Sequence, residues 1–120
     1  MSYDIPEGKL YNLSMIQEIA HGNIDFVKKM MALFIETMPP ALNDLKTHHA
    51  NSNWHELGGV AHKIKPSIDT MGISVLHEDI RLVEKYGKES SNTEEIPELL
   101  NKIDTVINKV ISDLKAELNG

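Results

Sequence analysis

No cysteine occurs anywhere in the 120 residues, which removes disulfide staples, a thiolate nucleophile and thiolate metal ligands together. Aromatics are also scarce, at 5% of the chain, so aliphatic and methionine side chains must fill the core. There is no basic excess: 12 Lys and Arg against 18 Asp and Glu leave a formal charge of −6. A nucleic-acid backbone needs the opposite, a concentrated cationic surface, and is not expected as a partner. No apolar run approaches the roughly 20 residues that cross a bilayer. The opening MSYDIPEGKLYN has neither the charged start nor the apolar stretch of a secretory signal. The expectation is a cytoplasmic protein without a membrane partner.

What is present is helical periodicity in a chain whose length suits one domain. Residues 1–12, with Pro6 and Gly8, read as an irregular lead-in, and residues 13–120 as a single bundle domain. Ser14 and Gln17 have the spacing of a capping box opening a short helix that Gly22 stops. Asn23 can cap the next helix, in which Val27, Met31, Phe34 and Met38 recur at spacings of three and four. Pro39 and Pro40 interrupt that pattern before Leu42 and Leu45 resume it, so 23–50 reads as one bent helix or two abutting ones. A third stripe runs Trp54, Leu57, Ala61, Ile64, Ile68 and Met71, and a fourth runs from Val75 to Tyr86. Gly87 to Thr93 reads as a loop, and Pro97 sits in the first turn of a last helix whose stripe extends to Leu114. Alternating patterns are absent. The predicted fold is all-α, an antiparallel up-and-down four-helix bundle with a short extra N-terminal helix.

The segment around His62 carries the chemistry. At roughly 100° per residue, Ala61, Ile64 and Ile68 fall within about 40° of Leu57, while His62 lies about 140° away on the outer side. His55, Gly58, Gly59, Pro66 and Asp69 share that outer face, and Lys65 is about 60° round from His62 and one turn on. Each interior glycine costs about 1 kcal/mol relative to Ala, and Pro66 removes the N–H that would bond the carbonyl of residue 62. Helix stability alone does not favour this surface. Small residues around an exposed imidazole leave room for a protein to approach, and a neutral imidazole nitrogen is a competent nucleophile. A nearby lysine can offset phosphoryl charge. The bland alternative is a solvated polar residue, which geometry alone does not displace.

The run Ala61-His62-Lys63-Ile64-Lys65-Pro66-Ser67, with Trp54 and Leu57 before it and Gly72 after it, resembles the histidine-containing phosphotransfer (HPt) domain. The resemblance spans nearly the whole chain and implies a free-standing module without an attached kinase. It implies a carrier, not an enzyme: His62 takes a phosphoryl group from an aspartyl phosphate on a response-regulator receiver and gives it to another receiver. Lys65 is implied to steady the phosphoryl charge, with His55, Gly58, Gly59, Pro66 and Asp69 as the docking surface. Receiver domains and hybrid sensor kinases are the implied partners, and the chain itself is expected to be a monomer. Mg²⁺ is expected on the receiver and no cofactor on this chain. The family's usual glycine after the lysine is Pro66 here.

Three other readings compete. A zinc site would need a second histidine where Gly59 follows His55-Glu56, and His48 and His49 diverge by about 100° on a helix. No metal site is expected. Ser67, His62 and Asp69 do not share one side of the helix, which argues against a hydrolase. The remaining alternative is a helical adaptor that docks receivers without being phosphorylated.

Overall fold

The computed structural model describes Ile5 and residues 8–120; of the lead-in, residues 1–4, 6 and 7 lie outside the described residues. Five helices follow in order: α1 (Ser14–Ala20), α2 (Ile24–Ala50), α3 (Trp54–Thr70), α4 (His77–Glu89) and α5 (Ile96–Asn119). Short 3-10 turns, Ser74–Leu76 and Thr93–Glu95, lead into α4 and α5. No strand occurs among the described residues. Helices α2 to α5 form a closed ring in which α2 packs on α3, α3 on α4, α4 on α5 and α5 back on α2. The short α1 lies against α2. This is the expected all-α bundle with its extra N-terminal helix. Its 43 Å long axis matches the roughly 40 Å that 27 residues span at about 1.5 Å each.

Each helix turns its stripe inward. Phe34, Met38, Leu42 and Leu45 come from α2, and Leu57, Ala61, Ile64 and Ile68 from α3. Ile80 and Val83 come from α4, and α5 contributes nine buried residues, from Ile96 to Leu114. The Pro39–Pro40 pair lies exposed inside α2, which is one continuous helix. Asn23 caps α2 as expected, its carboxamide accepting from the Phe26 N–H at 3.1 Å. Between α4 and α5, Lys102 Nζ meets the buried Asp79 carboxylate at 2.8 Å. A buried carboxylate needs such a partner.

Two local readings change, and the lead-in gains contacts that its sequence did not signal. The Ser14–Gln17 capping box does not form; Leu13 precedes the helix, and the Asn12 side chain accepts from the Ser14 N–H at 2.8 Å. The lead-in is packed at its end: Leu10 and Tyr11 are buried, as is Leu13 just beyond it, and the Asn12 N–H donates to the Met71 carbonyl at 2.9 Å. Tyr11 also donates its hydroxyl to Glu117, tying the lead-in to α5. Finally, Gly87 is not in a loop. It is buried inside α4, which runs on to Glu89, because it faces Gly58 of α3.

That pairing corrects the placement of Gly58 on a docking face. Gly58 is buried, and a Cβ added to it would stand 2.8 Å from the Lys88 backbone N and 2.9 Å from the Glu84 carbonyl oxygen. A Cβ on Gly87 would stand 2.7 Å from both the Gly58 N and the Trp54 carbonyl oxygen. Both obstacles are backbone, so a side chain forces the helices apart. Gly59 is different: it is exposed, with nothing within 4 Å of an added Cβ. Overpacking of this kind typically costs about 1–3 kcal/mol, so Gly58→Ala is expected to lower the urea midpoint clearly. Gly59→Ala should raise stability by up to about 1 kcal/mol through helix propensity. Equal responses from the two variants would contradict the crossing.

Candidate functional site

His62 stands on the rim of the α3–α4 seam with its side chain 61% exposed, as the helical count of α3 predicted. Its Nδ1 lies 2.6 Å from Oε2 of Glu84, on α4. Glu84 was not singled out from the sequence, and it organises the site. Its Oε1 accepts from Lys65 Nζ at 2.7 Å, and its Oε2 also accepts from Lys88 Nζ at 3.1 Å. Lys65 and His62 therefore meet through a shared carboxylate. Lys88 is the other residue that sequence reasoning missed. The available signal was the Glu84–Lys88 spacing of four, the orientation that favours an ion pair on a helix.

One turn away along the seam, Asp69 pairs with Arg81 of α4 at 2.6 and 3.1 Å, and His77 Nδ1 is 3.4 Å from the same carboxylate. The Arg81 hydrogen bonds hold the Asp69 carboxyl below the usual carboxylate range. Asp69 is thus half-buried and occupied, with part of its surface still open. His55, Gly59 and Pro66 are exposed as expected. Pro66 also lines an apolar groove of about 600 Å³ between α2 and α3, with Lys63, Leu33, Phe34 and Ile64 among its walls. Of the six residues singled out from sequence around His62, five lie exposed or half-buried on its side of α3, and Gly58 turns inward. Among the described residues, no group of three His, Asp or Glu side chains is placed to hold a metal ion. No helix among them is long and apolar enough to cross a membrane.

The electrostatics of Glu84 follow from its partners. The Lys65 hydrogen bond, with smaller help from Lys88 and His62, outweighs burial and holds its carboxyl at about 2, against an ordinary 4.5. The carboxylate is therefore ionised throughout the physiological range and accepts from His62 Nδ1. An imidazole that donates from Nδ1 presents Nε2 as a bare acceptor, and Nε2 is the nitrogen directed away from Glu84.

A depressed acid stabilises the fold above its unfolded value and loses that contribution as pH falls. For Glu84 the window runs from 4.5 down to about 2. Glu84→Gln should lose about 1–2 kcal/mol at neutral pH, because Lys65 keeps its charge without an anionic partner. The difference between variant and wild type should shrink as pH falls through that window, as followed by urea unfolding at several pH values. A difference that stayed constant with pH would refute the ionised carboxylate.

Comparison with known proteins adds one positive result. The model of the Hpt domain family matches residues 29–117, which covers α2 from its second turn through nearly all of α5. No curated protein and no solved structure matches. The match takes in most of the chain and all four helices of the ring, and the fold is the helical bundle expected of that family. The chain belongs to the Hpt domain family, whose members carry phosphoryl groups in two-component signalling and work with receiver domains and histidine kinases.

Proposed function

We propose that His62 is the phosphoacceptor of a phosphorelay intermediate, taking a phosphoryl group from the aspartyl phosphate of one receiver domain and passing it to another. The observation that carries this reading is the contact of 2.6 Å between Glu84 Oε2 and His62 Nδ1 on a side chain that is 61% exposed. Glu84 selects the tautomer and orients the ring, and solvent or a partner has access to Nε2. In the forward step the Nε2 lone pair attacks phosphorus. A P–N bond forms as the P–O bond to the receiver aspartate breaks, and the electron pair leaves with the receiver carboxylate. The proton stays on Nδ1, where the resulting imidazolium donates it to Glu84. No proton has to be removed. The reverse sequence returns the phosphoryl group to a receiver.

Lys65, already held at Glu84, supplies positive charge beside the phosphoryl oxygens. His55, Gly59, Pro66 and the open part of Asp69 form the docking surface around His62, with the apolar groove beside Pro66 extending it toward α2. The acidic pocket and the Mg²⁺ that balances phosphoryl charge belong to the receiver, and no cofactor is assigned to this chain. The chain acts as a carrier without kinase activity of its own.

Incubation with phosphorylated receivers should give an acid-labile, base-stable adduct that is absent from His62→Ala. Outer partners that orient a metal-ligating imidazole are typically worth about 10–100-fold, and Glu84 orients His62 in the same way. Glu84→Gln should therefore slow transfer by about that factor while docking changes little. Receivers that bind but never transfer to the wild-type chain would favour the adaptor reading instead.

A further inference from the structure

Lys88 reaches the carboxylate that holds His62 by a route that the α3–α4 crossing creates. An added Cβ at Gly58 would lie 2.9 Å from Lys88 Cγ, so the lysine stem occupies the space where a side chain of residue 58 would be. Gly58 is one turn before His62 on α3. Side chains on an α-helix lean toward its N-terminus, so the imidazole of His62 lies over the Gly58–Gly59 turn. The Lys88 ammonium ends at Glu84 Oε2, the same oxygen that holds His62 Nδ1. Two cations thus converge on one carboxylate from opposite sides of the histidine. Lys65 comes from the turn after it, its side chain 26% exposed, and Lys88 from over the turn before it, 42% exposed.

The charges do not balance at rest. Glu84 neutralises one ammonium of the two, which leaves a surplus positive charge beside the exposed ring. A phosphoryl group brings roughly −1.5 to −2 near neutral pH. Loading therefore places a second anion beside Glu84, and the more exposed of the two lysines is the one free to turn toward it.

Resting on the phosphoacceptor reading above, we propose that Lys88 is a second phosphoryl-binding cation, which leaves Glu84 Oε2 for the phosphoryl oxygens when His62 is loaded. Lys65, the less exposed of the two, keeps Glu84 in place. No covalent bond to Lys88 forms or breaks, and it remains protonated throughout.

The test compares Lys88→Met, which keeps an unbranched stem over Gly58, with Lys88→Arg, which keeps the charge. Phosphoramidate serves as a receiver-free donor; its P–N bond breaks, ammonia leaves, and the phosphoryl group joins His62 Nε2. A receiver phosphorylated with acetyl phosphate serves as the second donor. A partly exposed cation at a reacting phosphoryl group is expected to be worth about tenfold, below the value of a buried donor. Lys88→Met should slow phosphorylation by about that factor with both donors, and Lys88→Arg should restore most of the rate. The ¹⁵N shifts of His62 should show the Nδ1–H tautomer unchanged in both variants.

A wild-type rate in Lys88→Met, with His62→Ala inactive, would overturn the role of Lys88 and leave the phosphoacceptor reading standing. Loss of the tautomer in Lys88→Met would show that Lys88 acts only by positioning Glu84, and would overturn direct contact. Incorporation that persists in His62→Ala would overturn the phosphoacceptor reading, and the role of Lys88 with it.

Discussion

Gly58 and Gly87 bring the backbones of α3 and α4 so close that a Cβ on either would stand 2.7–2.9 Å from backbone of the other helix. Each glycine sacrifices about 1 kcal/mol of helix propensity relative to Ala. In return, α3 and α4 pack more extensively than any other pair of helices in the molecule. The crossing also fixes distance in the direction that matters for chemistry. Short helix separation lets a glutamate on α4 reach a histidine and a lysine on α3, and lets the Lys88 stem lie across the missing side chain of residue 58. A wider seam would place Glu84 out of hydrogen-bond reach of His62.

Glu84 is mostly shielded from water, its side chain 14% exposed, and a carboxylate there would be unfavourable without partners. It has three, divided between its two oxygens: Lys65 on one, His62 and Lys88 on the other. The lysines keep it ionised, and an ionised carboxylate can only accept, so the imidazole must donate its N–H. Structure and chemistry are therefore joined at one group. The contacts that satisfy Glu84 in the fold are the same contacts that orient His62 and collect cations beside it. The Asp69–Arg81 pair repeats the arrangement farther along the seam and secures its next turn.

The helices were legible in the sequence because their stripes are long and their period is local. Asn23 as a cap, Pro97 in the first turn of α5 and the outward His62 all follow from counting along one element. What stayed hidden depends on which helix lies beside which face. With Leu57 at zero, Lys65, Gly58 and Asp69 fall at about 80°, 100° and 120°, on one flank of α3. Packing decides whether such a flank faces solvent or a neighbour. Here α4 covers it, so Gly58 is buried and Lys65 and Asp69 find Glu84 and Arg81. His62, at about 140°, sits just past the edge of that cover. The Asn12 side-chain bond to the Ser14 N–H and the buried Tyr11 were missed for a similar reason, since a segment without periodicity gives no sign of the surface it packs on.

The same angular frame locates the departure from the family pattern. Pro66 falls at about 180° from Leu57, with Gly59 near it at about 200°. Both are exposed and stand away from the α4 flank. Pro66 borders the apolar groove between α2 and α3, so its ring adds apolar surface on the side opposite Glu84. It cannot bond the carbonyl of His62, but the imidazole is held by Glu84 of α4, which Lys65 and Lys88 hold in turn, and Pro66 touches none of these in hydrogen bonding. α3 continues four residues past it to Thr70, supported by the buried Ile68. Pro66 therefore shapes the outer face of α3, while the charge arrangement at His62 is governed from the other flank.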